Sequence, residues 1–255
     1  MDQRTFDLFL ELHKGLPRQA PGSGASTRRA LEQAGALPAC PMILDLGCGP
    51  GAQSLDLARM TGGVVTCVDN LGPFLGELAM RAASSGLFER IEPVLGDMAA
   101  LPDSVAPGAY DLVWSEGAIY NIGFDAGLGS WRRYLAPGGV LAVSELCWLG
   151  DEESAPEAAR EFWKEHYPAM RSAQANRLAM EAAGYDVLGS FTLPSEDWWE
   201  SYYTPLLENL AAFEKKHAGE EIAQSVAAME RREIEIYREY GGWYGYVFFV
   251  GRSSF

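Results

Sequence analysis

Apolar positions along the chain change period at about residue 40. Before it, Phe6, Phe9, Leu10 and His13 recur at helical spacing, which predicts a short amphipathic helix over residues 5–14. The run GLPRQAPGSGAST (15–27) predicts irregular chain, and Ser26 or Thr27 is placed to cap a helix over 27–35 that Gly35 ends. After it, short apolar runs dominate: PMILDLG (41–47), GVVTCVD (63–69), IEPVLGD (91–97), YDLVWSE (110–116) and GVLAVSE (139–145). Helical stretches such as SLDLARM and FLGELAMRAASSG (74–86) separate the first of them. Strands alternating with helices predict a parallel sheet covered on both faces, and right-handed crossovers make it doubly wound.

Beyond residue 146 the alternation loosens. YDVLGSFTL (185–193) and WYGYVFFVG (243–251) predict a sixth and a seventh strand. The intervening 147–184 and 195–240 read as helical cap segments rich in Trp and Tyr. The chain is therefore expected to be one domain, 1–255. Residues 1–40 form N-terminal helices and a loop, 41–146 a binding core, and 185–194 and 243–251 the last strands. No internal repeat is seen.

Composition narrows the function. Lys and Arg total 20 against 35 Asp and Glu, a net charge of −15, which opposes the phosphate neutralisation that nucleic-acid binding requires. Four cysteines show neither CxxC pairing nor zinc spacing, and no metal site is expected. The N-terminus MDQRTFDLFLELHKG is acidic and amphipathic, unlike a signal peptide, and no apolar run approaches a membrane span. A cytoplasmic protein with no membrane partner is the expectation.

The chemistry concentrates at strand ends. In DLGCGPG (45–51), glycines between strand and helix let the backbone turn tightly and approach a ligand. Asp69, at the next strand end, can accept both hydroxyls of a ribose. Asp97 can accept from an adenine amino group, with Met98 against the ring. Asp45 beside the loop suits a ligand carrying positive charge better than a pyrophosphate.

The ordered set ILDLGCGPG, VVTCVDN, LGDMAALP, YDLVWSEGAIYNI and YLAPGGVLAVSE resembles class I S-adenosylmethionine-dependent methyltransferases over roughly residues 40–146. SEGAIYNIGF and WYGYVFFVG further resemble a bacterial subgroup of small-molecule methyltransferases. The resemblance implies a Rossmann-like, mostly parallel seven-stranded sheet whose last strand runs antiparallel between the fifth and sixth. It implies S-adenosylmethionine as methyl donor, leaving as S-adenosylhomocysteine. Asp45, Gly47, Cys48, Gly49 and Gly51 would hold the methionine moiety, Asp69 the ribose, and Asp97 and Met98 the adenine, with Asn70 a further cofactor contact. The roughly 45 residues between the last two strands, where many relatives have a short turn, are expected to form a lid or a homodimer contact.

On the acceptor side, Ser115 and Glu116 are expected at the rim beside the donor. Glu116 and Tyr120 are the candidate catalytic pair, with Asn121 orienting a small-molecule acceptor. Against this, Tyr120 would pack on the first helices and Glu116 would cap a helix starting at Gly117. Trp148 and Glu145, near the end of the fifth strand, are candidate substrate contacts. The other aromatics either line an acceptor pocket or bury the cap. Arg18 would pair with the donor's carboxylate if its segment folds over the site; the competing view is an exposed linker. Two rival functions share these features: a nicotinamide-dependent oxidoreductase, which lacks its GxGxxG here, and a methyltransferase-like protein that binds without turnover.

Overall fold

The short apolar runs in the first half of the chain fold as strands, and two of them end on an acid, Asp69 and Glu116. The computed structural model describes residues 2–254. Its strands are β1 (Met42–Leu46), β2 (Val64–Asp69), β3 (Ile91–Leu95), β4 (Tyr110–Glu116), β5 (Leu135–Trp148), β6 (Arg171–Ser172), β7 (Tyr185–Thr192) and β8 (Tyr244–Ser253). They form one sheet in the order β3-β2-β1-β4-β5-β8-β7, with β6 beside the end of β5. β8 runs antiparallel to both β5 and β7, as the resemblance implied. The expected seven strands are present, and the two-residue β6 is an eighth, too short to leave an apolar pattern.

Alternate residues of each strand go to opposite faces, and both faces are buried. Trp114 and Phe248 join the core under α1 (Gln3–His13), α9 (Thr204–Lys216) and α10 (Glu221–Tyr240). Val113 and Phe249 join the core on the other face, with Leu128 of α5 (Phe124–Trp131) and Met180 of α7 (Ala173–Ala182). Burial on both faces explains why these strands read as continuous apolar runs.

The second helix begins earlier than its sequence suggested. α2 spans Gly24–Ala34, and Ser23, not Ser26 or Thr27, caps it by accepting from the Ser26 amide. The two expected caps sit inside the first turn and send their hydroxyls elsewhere. Ser26 donates to Asp197 at 2.5 Å and Thr27 donates to Glu116 at 2.8 Å.

Residues 195–240 build a helical cap that clamps the N-terminal segment. α8 (Ser195–Trp198) runs through a π-helical turn, Trp199–Tyr203, into α9. Asn209 of α9 donates to the Leu12 carbonyl at 2.8 Å, and Lys216 pairs with Glu11 at 2.7 Å. Asp197 accepts both the Ser26 hydroxyl and the Gly22 amide. Trp198 stacks on Tyr237 with centroids 4.0 Å apart and meets Tyr244 edge-on. The cap aromatics Trp163, Trp198 and Tyr203 therefore fill this cap's core instead of lining a pocket. No helix among the described residues is long and apolar enough to cross a membrane.

Candidate active site

A cavity of about 680 Å³ opens at the C-terminal ends of β1, β2 and β4, where an open α/β sheet places its ligands. Its floor is the loop from β1 to α3 (Ala52–Thr61). Gly47, Gly49 and Gly51 all have positive φ, which a side chain would strain. A Cβ on Gly47 would come within 2.5 Å of the Ala118 Cβ and close the gap between loop and β4 exit; one on Gly51 would strike Leu78 at 2.0 Å. The amides of Gly47 and Cys48 both donate to the Val68 carbonyl, tying the loop to β2. Gly51 at the N-cap of α3 makes no side-chain cap, so the first-turn amides remain available to a ligand.

Two acids mark the next strand ends. Asp69 accepts from the Gly49 amide at 2.8 Å through one oxygen and from the Leu71 amide at 2.9 Å through the other. Each oxygen keeps a second lone pair for a ligand hydroxyl. Desolvation raises its pKa despite those amides. Asp97 accepts from the Ala99 amide at 2.8 Å, and the Met98 carbonyl is held by the Trp131 indole N–H at 2.9 Å. Asn70, Asp97 and Met98 all line the cavity.

Asp45 lies behind the loop, not in it. It is fully buried, does not line the cavity, and accepts the Ser54 hydroxyl at 2.5 Å, joining β1 to α3. Its other oxygen has no hydrogen-bond partner. Desolvation, foremost, carries its pKa up to about 7. The expected direct contact with a methionine moiety is replaced by support of the cradle from below.

The β4 exit departs most from expectation. Ser115, a candidate cofactor contact, is buried and donates to the Leu46 carbonyl at 2.9 Å, so it binds β4 to β1 and not a ligand. Glu116 lines the cavity but is not a free base. One oxygen accepts from Arg18 at 2.5 Å; the other accepts from Thr27 at 2.8 Å and from the Trp114 indole at 3.0 Å. Arg18 also reaches Thr27 and Asp56, each at 3.3 Å, so its guanidinium is turned from the carboxylate-binding role expected of it. The 17–23 segment is thus a strap pinned over the site by a buried ion pair. Gln19 lies over Gly49, and a Cβ at Gly117 would come within 2.6 Å of the Ala20 Cβ.

Tyr120 and Asn121 also line the cavity. Asn121 donates to the Ala118 carbonyl at 3.0 Å, closing a short turn. Tyr120 is 42% exposed, its ring edge-on to Tyr167 at 5.9 Å. Trp148 is buried against Tyr244 and lines a separate, shallower cleft of about 580 Å³, so it is no wall of the main cavity. Glu145 is buried at 1% exposure and likewise does not line it. Phe6, Phe9 and Leu10 of α1 do, together with Phe74. The sequence signalled these only as one face of an amphipathic helix. Among the described residues no cluster of His, Cys, Asp and Glu is placed to hold a metal.

Residues 43–139 match the family described as "Methyltransferase domain". The matched segment holds the glycine loop, Asp69, Asp97 and the β4 exit. The sheet around it has the class I, Rossmann-like topology, and a solved structure shares that fold across almost the whole chain. It is the S-adenosylmethionine-dependent methyltransferase of Geobacter sulfurreducens in complex with S-adenosyl-L-homocysteine. The TM-score is 0.80 at 20% identity, over 96% of this chain and 97% of that one. Among curated relatives, the sterol 24-C-methyltransferase of Eremothecium gossypii is 28% identical over 174 residues, 65% of this chain and 45% of that protein. Methyltransferase GfsG of Streptomyces halstedii is 30% identical over 158 residues, 57% of this chain and 53% of that protein. The chain thus spans about half the length of these two relatives.

Proposed function

We propose that the protein transfers the methyl group of S-adenosylmethionine to a small-molecule acceptor in the cytoplasm. One observation carries the reading. The glycine cradle, Asp69, the Asp97–Met98 turn, Tyr120 and Asn121 all line a single cavity.

The residues fit a nucleoside carrying an amino-acid arm. The α3 amides and the loop offer donors to a carboxylate, Asp69 has lone pairs for ribose hydroxyls, and Asp97 has them for an adenine amino group. When bound, the sulfonium supplies an already activated methyl group. What remains for the protein is to position and to exclude water, which accounts for a large share of the barrier in such reactions. Phe6, Phe9 and Leu10, with the strap at Gln19–Pro21, cover the cavity for that purpose. The α8–α10 cap supports this lid through Asn209, Lys216 and Asp197.

The oxidoreductase alternative fares worse on electrostatics. The Gly49 amide is already committed to the Asp69 carboxylate, so a pyrophosphate there would meet negative charge where it needs a donor. Calorimetric titration of S-adenosylmethionine, S-adenosylhomocysteine and NAD tests the reading. Binding of both sulfur nucleosides and not NAD is expected; NAD binding alone overturns it. Radiolabelled methyl transfer to a metabolite extract separates turnover from mere binding.

A further inference from the structure

The residues that line the cavity divide into two groups. The glycine loop, Asp69 and the Asp97–Met98 turn offer hydrogen bonds and account for the methyl donor. The second group is apolar: Phe6, Phe9 and Leu10 on α1, and Ile122 beside Tyr120 just beyond β4. α1 carries two apolar faces. Leu8 and Leu12 are buried in the core at 0% and 1% exposure. Phe6, Phe9 and Leu10 occupy another face and stay half-buried at the cavity wall.

Packing the fold uses the first face and leaves the second for an occupant. Large apolar side chains gathered half-buried on one concave surface form the wall of a site that an apolar molecule covers. Polar groups beside this wall are few. Asn121 donates to the Ala118 carbonyl at 3.0 Å. Tyr120, 42% exposed with its ring edge-on to Tyr167, presents an aromatic body with one hydroxyl to orient an acceptor.

Charge rules out ionic acceptors. Among the described residues lining the cavity Arg18 is the one cation, and Glu116 at 2.5 Å and Asp56 at 3.3 Å already hold it. Asp69, Asp97 and Glu116 are the acids. A phosphate or carboxylate entering here would shed its hydration with no free cation to receive it. An ammonium has no lone pair to give, and it would approach the positive sulfonium at close range. The walls and charges together leave a neutral nucleophile on an apolar frame.

Resting on the methyl-transfer reading, we propose that the acceptor is an uncharged molecule with an aromatic or hydrocarbon body, seated against Phe6, Phe9, Leu10, Tyr120 and Ile122. Its nucleophilic atom brings its own lone pair, so no side chain has to remove a proton first. That pair forms the bond to the methyl carbon while the carbon–sulfur bond breaks and leaves its electrons on sulfur. The nitrogen or oxygen so methylated then gives its proton to water at the open end of the cavity, where Tyr120 is exposed.

The test uses the full chain saturated with S-adenosylhomocysteine and titrated calorimetrically with two matched series. One is 2-naphthol, 2-naphthoate, 2-naphthyl phosphate and 2-naphthylmethylammonium; the other is decanol, decanoate, decyl phosphate and decylammonium. A neutral member should bind at least tenfold more tightly than the charged members of its series. Phe6→Ala and Phe9→Ala should each weaken it about tenfold while S-adenosylhomocysteine affinity stays within twofold, which also shows that the variants fold. Phe9→Leu, which keeps an apolar surface, should retain most of the binding and serves if Phe9→Ala does not fold. A charged member binding as tightly as its neutral counterpart, or no binding by either neutral probe, overturns the inference. So does unchanged neutral binding in both alanine variants, or an equal loss of S-adenosylhomocysteine, which would put the rings over the cofactor. Failure of S-adenosylhomocysteine to bind the parent chain is a different result and sinks the methyl-transfer reading.

Discussion

The Arg18–Glu116 pair decides whether Glu116 is a base or a fastening, and a charge cycle separates the two. Both side chains are nearly buried, at 8% and 5% exposure, and meet at 2.5 Å. Removing one partner of such a pair strands a charge, at a cost of about 3–5 kcal/mol. The two single variants should differ. Arg18→Met leaves a buried Glu116 carboxylate with only Thr27 and Trp114 as donors. Glu116→Gln leaves Arg18 beside its second partner, Asp56, which is 26% exposed. Arg18→Met should therefore be the worse, and Arg18→Met/Glu116→Gln should recover part of its loss. At ~2–4 °C per kcal/mol for a chain of this size, the Arg18→Met loss is roughly 6–20 °C in Tm. Thermal melts by circular dichroism give the stability, and calorimetry with S-adenosylhomocysteine shows whether the strap still covers the site. A double variant no better than Arg18→Met refutes the pairing argument. So does Glu116→Gln with parental stability and no turnover, the signature of a free catalytic base.

Three further outcomes follow from the same geometry. Asp69→Ala should weaken S-adenosylhomocysteine by about 1.5–3 kcal/mol, because it removes charged acceptors and frees the Gly49 amide; unchanged affinity by calorimetry would take Asp69 out of the site. Asp45→Asn should stabilise the chain far more at pH 8 than at pH 4. The native carboxyl titrates at about 7 against an ordinary 3.8, so its burden is full above pH 7, shrinks steadily as pH falls below that value, and is gone only below the ordinary one. The gain at pH 8 is at most roughly 4 kcal/mol, read from urea melts at the two pH values. Gly117→Ala combines a φ of +60° with a 2.6 Å approach to Ala20, and should loosen the strap. Faster proteolytic cleavage within 17–23 is expected, and Ala20→Gly should restore part of the protection by relieving the clash but not the backbone strain, worth about 1–2 kcal/mol.

Much of the core was legible because its signals are local. The glycine loop, Asp69 and Asp97 each follow an apolar strand within a few residues, and the cavity collects them. What escaped depends on pairings distant along the chain. Glu116 looked like a rim base because nothing near it in sequence reveals Arg18, 98 residues earlier. Ser115 looked available because its partner, the Leu46 carbonyl, belongs to another strand. The α2 cap was missed by three residues because three candidate hydroxyls, Ser23, Ser26 and Thr27, lie within five positions.

The position of β8 bears on how the molecule is made. It is the last strand among the described residues, yet it lies between β5 and β7, pairing with both. Until residues 244–253 emerge, the long edge of β5 is bare and β7 has no neighbour in the sheet. A chain that has made β5 but not β8 therefore carries an unpaired, apolar strand edge, the kind of surface that recruits other chains. Protection must come from a chaperone, or from rapid insertion of β8 between its two neighbours once it is free.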